Sequence, residues 1–135
     1  MRIVRRSVLV LLIGTMLATG ATGTALANRK HNQGAGNGSF SLVLLNSAGD
    51  VPHWGDNVTF TVSTTVSQPW VQLTCDQNGT KVLNQYIGFY AGYPWSQVFS
   101  LGTWMWTSGA ADCNARLFDG SNNATLATMS FHVGA

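Results

Sequence analysis

Short segments in which apolar and polar residues alternate fill the sequence from about residue 39 to its end. The clearest covers residues 58–63, where three apolar side chains alternate with two threonines and a serine. A period of two is the side-chain repeat of a β-strand, and it predicts that each segment buries one face and exposes the other. We find no segment with the 3.6-residue period of an amphipathic helix. The pattern therefore predicts an all-β fold.

Turn residues separate these segments at short intervals. We place seven strands at residues 39–45, 58–63, 71–75, 81–90, 96–101, 111–117 and 127–133. Asn78-Gly79 lies between the third and the fourth, and Asn-Gly is the strongest short-range signal for a β-hairpin. Because each strand is apolar on one face only, two sheets must pack together. The predicted fold is an immunoglobulin-like antiparallel β-sandwich of about seven strands over residues 39–135.

Residues 1–27 have the features of a secretory signal peptide. Three arginines lie among the first six residues, an apolar run covers residues 8–17, and Ala25-Leu26-Ala27 fits the small-residue cleavage motif. A transmembrane helix needs roughly 20 apolar residues, about twice this run. We therefore predict a cleaved signal peptide, a flexible tail over residues 28–38 and a secreted protein without membrane contact after cleavage. The pair Arg5-Arg6 leaves the general and the twin-arginine export routes both open.

Removal of the first 27 residues changes the sign of the net charge. The whole sequence has a formal charge of +2, whereas residues 28–135 keep four Lys or Arg against five Asp, a net charge of −1. Binding to the phosphates of nucleic acids requires clustered cations, and only Arg29-Lys30 form a cluster. We therefore expect no nucleic-acid partner.

The chain has two cysteines, Cys75 and Cys113. An exported protein meets an oxidising compartment, so we predict that the two form one disulfide; two buried thiols and half of a metal site are the alternatives. If the third and sixth strands are neighbours in one sheet, the bridge lies within that sheet. The bridge of antibody domains instead joins the second and sixth strands across the core.

Four stretches of the sequence resemble a known group of proteins. They are residues 58–65 (VTFTVSTT), 71–79 (VQLTCDQNG), 106–117 (WTSGAADCNARL) and 126–133 (LATMSFHV). Together they resemble small secreted immunoglobulin-like proteins of bacteria, of the actinobacterial type. The resemblance covers the chain from about Asp56 onward. It implies the sandwich fold and export, and it implies neither a defined activity nor any site residue.

The titratable side chains give little support for catalysis or metal binding. Most of the five aspartates lie at turns or in loops, where Asp is favoured for backbone reasons. No Gly-x-Ser-x-Gly elbow is present, and His31, His53 and His132 lack the short spacing of metal ligands. We predict a protein that is not an enzyme and has no metal or cofactor. A small hydrolase is the weakest hypothesis, and it requires Asp50 or Asp56 close to His53 in a concave site.

Aromatic side chains are the best candidates for a binding site. Tyr90, Tyr93 and Trp95 cluster around one predicted loop. Trp104 and Trp106 are two residues apart, so on an extended segment they would share a face. Exposed aromatic side chains on a rigid sandwich can stack on sugar rings or form the hot spots of a protein interface. Buried ones fill the core, and the sequence leaves both interpretations open.

Two main functional hypotheses follow. The first is a monomeric, non-catalytic binding module that recognises an extracellular glycan or protein. The second is a carrier or inhibitor that holds a small apolar ligand, as the enediyne antibiotic apoproteins do. Those proteins have two disulfides, whereas this chain has cysteines for one.

Overall fold

A computed structural model describes residues 37–135 as two antiparallel β-sheets, and these residues contain no helix. The strands are β1 (Gly38–Leu44), β2 (Asn57–Thr64), β3 (Pro69–Gln77), β4 (Thr80–Gly88), β5 (Phe99–Ser100), β6 (Ala111–Asp119) and β7 (Thr125–Val133). One sheet has the order β1-β2-β5 and the other the order β4-β3-β6-β7. The third, sixth and seventh strands are neighbours, as in the CFG sheet of immunoglobulin domains. The predicted seven-stranded β-sandwich is confirmed.

The predicted signal peptide (residues 1–27) and most of the predicted tail (28–38) lie outside the described residues. Strand β1 begins at Gly38, one residue before the predicted start of the domain. Within residues 37–135 there is no helix with the length and apolar character needed to cross a membrane.

The core consists of apolar side chains that each strand directs toward the opposite sheet. In β3, Val71, Leu73 and Cys75 are buried, whereas the residues between them are partly exposed. Burying one large aliphatic side chain contributes about 1.5–3 kcal/mol. The inward face of each strand thus stabilises the sandwich, and the outward face remains accessible to solvent and ligands.

The turn between β3 and β4 has the predicted geometry. Asn78 and Gly79 have φ angles of 48° and 80°. A type I′ turn requires positive φ at both central residues, and Asn and Gly tolerate it best. This turn sets the antiparallel pairing in which Gln77 lies opposite Thr80.

Cys75 and Cys113 lie directly opposite each other in β3 and β6 and form a disulfide. The bridge therefore lies within the four-stranded sheet, as predicted, and both cysteines are buried. It closes a loop between positions 38 residues apart. In the chain-entropy model such a closure stabilises the folded state by about 4 kcal/mol.

The fifth strand is shorter than predicted. The alternation predicts residues 96–101, but β5 contains only Phe99–Ser100. The preceding chain is held by side-chain contacts: the Gln97 carbonyl oxygen accepts from Thr59 Oγ1 (2.5 Å), and Gln97 Nε2 donates to the Gly88 oxygen (2.9 Å). Alternation alone does not distinguish a paired strand from an extended segment held in this way.

Candidate functional site

The outward side of the four-stranded sheet carries a connected group of aromatic side chains. We call it the outer aromatic face, and it consists of Trp70, Tyr86, Tyr90, Tyr93, Trp95 and Phe118. Trp70 projects from β3 opposite the direction of its buried neighbour Val71, because successive side chains of a strand alternate. In the ladder Trp70 lies between Gly88 of β4 and Phe118 of β6. It is the point at which the strands and the following loop meet.

Tyr90, Tyr93 and Trp95 reach this face from the loop that follows β4. The ring of Tyr93 contacts those of Trp70, Tyr90 and Trp95, at centroid distances of 5.6, 5.5 and 5.3 Å. All three contacts are edge-to-face, the geometry that the quadrupoles of aromatic rings favour. Trp95 is 69% exposed, and the two tyrosines are half-buried. The structure therefore brings together the three aromatic residues predicted for this loop.

Two glycines allow the rings to lie directly on the backbone. A Cβ atom at Gly88 would come within 2.5 Å of ring atoms of both Tyr90 and Tyr93. A Cβ atom at Gly120 would come within 2.5 Å of the Trp70 ring. Such distances are far inside van der Waals contact. Any larger residue at either position would have to displace the rings.

Polar groups extend the outer aromatic face across β4, β3 and β6. The Tyr86 ring packs edge-on against Phe118 at 6.2 Å, and the Arg116 guanidinium lies 4.5 Å from the centroid of the same ring. Gln72 of β3 lies between Tyr86 of β4 and Arg116 of β6 in the sheet. It donates from Nε2 to the Tyr86 hydroxyl (2.7 Å) and to Asn84 Oδ1 (3.0 Å). The surface therefore combines fixed rings with amide, hydroxyl and guanidinium groups.

The prediction that Trp104 and Trp106 share a face is wrong. The segment is a tight turn, because the backbone N–H groups of Thr103 and Trp106 each donate to the carbonyl oxygen of the other (3.2 and 3.1 Å). Trp106 is fully buried and donates from Nε1 to the Gly109 oxygen (2.9 Å), so it belongs to the core and not to a binding surface. Trp104 is 86% exposed.

Trp104 and Met105 line a second surface feature, a cleft of about 490 Å³ along strand β4. Residues 81–85 form its other wall. β4 is an edge strand, and such a strand presents backbone donors and acceptors that a further strand can pair with. Thr103 Oγ1 occupies one of them by donating to the Val82 oxygen (2.7 Å). The cleft thus has the features that suit an extended peptide.

His53 and Asp56, which the hydrolase hypothesis requires to be close, form a turn. Asp56 Oδ2 accepts from Ser47 Oγ (2.6 Å) and from the backbone N–H of His53 (2.8 Å), and it lies 3.9 Å from His53 Nδ1. The bond from Ser47 is the main cause that lowers the pKa of Asp56, followed by the bond from His53. In a Ser-His-Asp triad the histidine lies between the other two residues. Here Ser47 donates directly to the carboxylate, so this arrangement anchors a loop.

The remaining histidine of the described part pairs with an aspartate across two strands. His132 Nδ1 on β7 lies 2.8 Å from Asp112 Oδ1 on β6, and both side chains are exposed. In residues 37–135 we find no group of three or more His, Cys, Asp or Glu side chains placed to hold a metal ion.

The sequence pattern indicates part of the outer aromatic face but not its extent. It places Tyr90, Tyr93 and Trp95 in one loop, whereas Trp70 and Tyr86 appear only as outward residues of separate strands. Their proximity depends on strand order and register, which alternation does not contain. Counting back from the Asn-Gly turn would pair Gln72 with Gln85, because a bulge between Cys75 and Asp76 shifts the register by one residue and brings Gln72 opposite Tyr86.

Comparison of the chain with models of known protein families gives no match, and a search of curated protein sequences gives none either.

Proposed function

We propose that this protein is a secreted, non-catalytic module that binds an extracellular glycan on its outer aromatic face. The observation that carries the proposal is an aromatic cluster in which Tyr90 and Tyr93 pack on Trp70 and over Gly88, and Trp95 packs on Tyr93. Rings that are fixed before binding lose little conformational entropy when a ligand arrives. Their apolar faces suit the C–H faces of sugar rings.

The polar part of the same surface supports a sugar ligand. Sugars carry many hydroxyl groups, and these need hydrogen-bond partners when they leave water. Gln72, Asn84 and the Tyr86 hydroxyl form one connected group on the sheet. Asn114 and Ser130 form another on β6 and β7, with Oγ and Oδ1 2.5 Å apart. A ligand that lies across the strands would meet rings at one end and hydroxyl and amide groups along its length.

Two features support the proposed location outside the cell. The first 27 residues have the basic, apolar and small-residue regions of a cleaved signal peptide. The disulfide between Cys75 and Cys113 is of a kind that persists in oxidising compartments.

A protein partner is the second candidate, and the cleft beside β4 favours it. Within residues 37–135, Trp104 is the most exposed of the large apolar residues, and Met105 lies next to it. Tryptophan is enriched among interface hot spots, and methionine is common at adaptable binding surfaces. An extended peptide that pairs with β4 would bury both side chains.

A binding screen with matched variants separates these candidates. The purified protein is tested against immobilised cell-wall and plant polysaccharides and against extracellular protein fractions, together with Trp95→Ala and Trp104→Ala. We expect a polysaccharide that binds the parent protein and Trp104→Ala equally and binds Trp95→Ala at least about tenfold more weakly. Loss of binding in Trp104→Ala alone would move the function to the β4 cleft. Binding that neither variant changes would contradict both candidates.

A further inference from the structure

Arg116 is one of only two lysine or arginine residues in positions 37–135, which also hold five aspartates. The other is Lys81, which lies opposite Asp76 in the β3–β4 ladder. Arg116 lies on β6, beside Gln72 of β3, and its guanidinium rests on Phe118. Arg116 thus places a positive charge beside the rings, at the opposite end of the sheet from Lys81, in a part of the chain that is negative overall.

The Arg116 side chain is held in a fixed position by neutral groups. Nε donates to Thr125 Oγ1 (2.9 Å), and Nη2 donates to the backbone oxygen and to Oδ1 of Asn123 (2.8 and 2.6 Å). The Phe118 ring, 4.5 Å from the guanidinium carbon, fixes its plane through a cation–π contact. None of these partners carries a negative charge.

The aspartates of the described part do not neutralise Arg116. The two ion pairs within residues 37–135 join His53 to Asp56 and His132 to Asp112. Asp119 is three positions along the same strand, but its Oδ1 accepts from the hydroxyl and from the backbone N–H of Ser121, and these bonds lower the pKa of Asp119. The carboxylate nearest in sequence is therefore committed to the hairpin turn. A preorganised guanidinium without a carboxylate partner is suited to bind one from a ligand.

We infer that Arg116 binds a carboxylate of the ligand, and hence that the glycan is an acidic polysaccharide containing uronic acid or a similar carboxyl sugar. The inference rests on the proposed function, because it assigns the ligand class of the same face. Nε and Nη2 already donate to Thr125 and Asn123, so Nη1 is the nitrogen that donates to the carboxylate. Such charge-assisted hydrogen bonds are stronger than neutral ones. The net negative charge of residues 37–135 opposes each added anion, so a glycan with several sulfates per disaccharide should bind more weakly than a polymer with at most one carboxylate per sugar.

The test compares acidic polysaccharides with their own carboxyl-reduced forms. Polygalacturonate, alginate and hyaluronan are titrated in both forms, with a sulfated glycan as a further arm, against the parent protein, Arg116→Gln, Arg116→Lys and Lys81→Gln. We expect at least one carboxylated polymer to bind the parent about tenfold more tightly than its reduced form. Arg116→Gln should lose this preference, so that it binds the carboxylated and the reduced form with about equal affinity. Lys81→Gln, which removes the same charge elsewhere, should keep the preference, and Arg116→Lys should keep part of it.

Three results would overturn the inference. They are equal binding of both forms by the parent protein, a preference for sulfate over carboxylate, and a preference that survives in Arg116→Gln. If Arg116 only holds the β6–β7 hairpin together, its variants will lower the free energy of unfolding without changing ligand preference, and thermal melting of each variant reports this. The proposed function fails separately, when Trp95→Ala binds every polymer as the parent does.

Discussion

Gly88 determines where two rings of the proposed binding surface lie. The main chain at this position passes directly beneath Tyr90 and Tyr93, at a separation that leaves no room for a methyl group. The Gln97 side chain also donates a hydrogen bond to the Gly88 carbonyl oxygen. The positions of the Tyr90 and Tyr93 rings thus follow from the backbone.

Gly88→Ala should therefore disturb binding as well as stability. Its Cβ would lie 2.5 Å from atoms of both rings, and overpacking of this kind costs about 1–3 kcal/mol. We expect glycan affinity to fall about tenfold, measured by calorimetric titration, with the loss of stability seen in urea unfolding. Gly49→Ala is the matched control, since nothing lies within 4 Å of its Cβ position. Unchanged affinity in Gly88→Ala would show that the ring positions do not matter for binding.

Asp56 should make the stability of the domain depend on pH in the acid range. Hydrogen bonds from Ser47 and from the His53 backbone hold its pKa below the ordinary value of 3.8. A depressed pKa in the folded state contributes stability above the unfolded pKa, and this contribution is lost as the pH falls through the folded pKa. Ser47→Ala removes the larger cause, so it should make the loss of stability below about pH 4 shallower and cost about 1 kcal/mol at pH 7. Urea unfolding at pH 7 and pH 3 measures both, and identical profiles for variant and parent would contradict this role.

The segment between β5 and β6 places two tryptophans in opposite environments. The turn over residues 103–106 directs Trp106 into the core and Trp104 into solvent. Trp106→Ala should cost about 3–5 kcal/mol because it opens a cavity. Trp104→Ala should change the free energy of unfolding by less than about 0.5 kcal/mol. Chemical denaturation of the two variants checks this difference, and equal costs would show that the turn is wrongly assigned.

The strands are predictable from the sequence where the alternation coincides with paired backbone. β3 shows this, because its four buried residues occupy every second position and its end is marked by Asn78-Gly79. The predicted fifth strand also includes residues 96–98, but these are anchored by Gln97 and do not pair. The Trp104–Trp106 turn contains neither Gly nor Pro, so no local signal separates it from an extended segment. Side-chain anchors and turns of this kind depend on distant parts of the chain.

The whole sandwich depends on one covalent link between two central strands. β3 and β6 are the inner strands of the four-stranded sheet, and Cys75 and Cys113 join them. Replacing both cysteines with alanine should lower the free energy of unfolding by about 4 kcal/mol. Domains of this kind are stable by about 5–15 kcal/mol in total, so the loss is large. Urea unfolding of the parent and the double variant, each with and without reductant, measures it. A parent protein that is equally stable in reductant would contradict the contribution of the bridge.

The candidate site exists only in the assembled molecule. Trp70, Tyr86 and Phe118 come from three strands, and the loop residues Tyr93 and Trp95 complete the face. The sequence identifies the loop because its aromatic residues are close in the chain. It does not identify the strand residues, because their contact is a consequence of the order β4-β3-β6. Identifying a surface that spans several strands therefore requires the strand order as well as the sequence.

The most direct test of a glycan-binding outer face is an NMR titration of the indole N–H signals of the five tryptophans with the best ligand from the screen. The aromatic contacts predict that the signals of Trp95 and Trp70 shift as the ligand is added. The signals of Trp104 and of the buried Trp106 should stay in place. Shifts confined to Trp104, with Trp70 and Trp95 unchanged at saturation, would contradict the account and place the binding site in the β4 cleft.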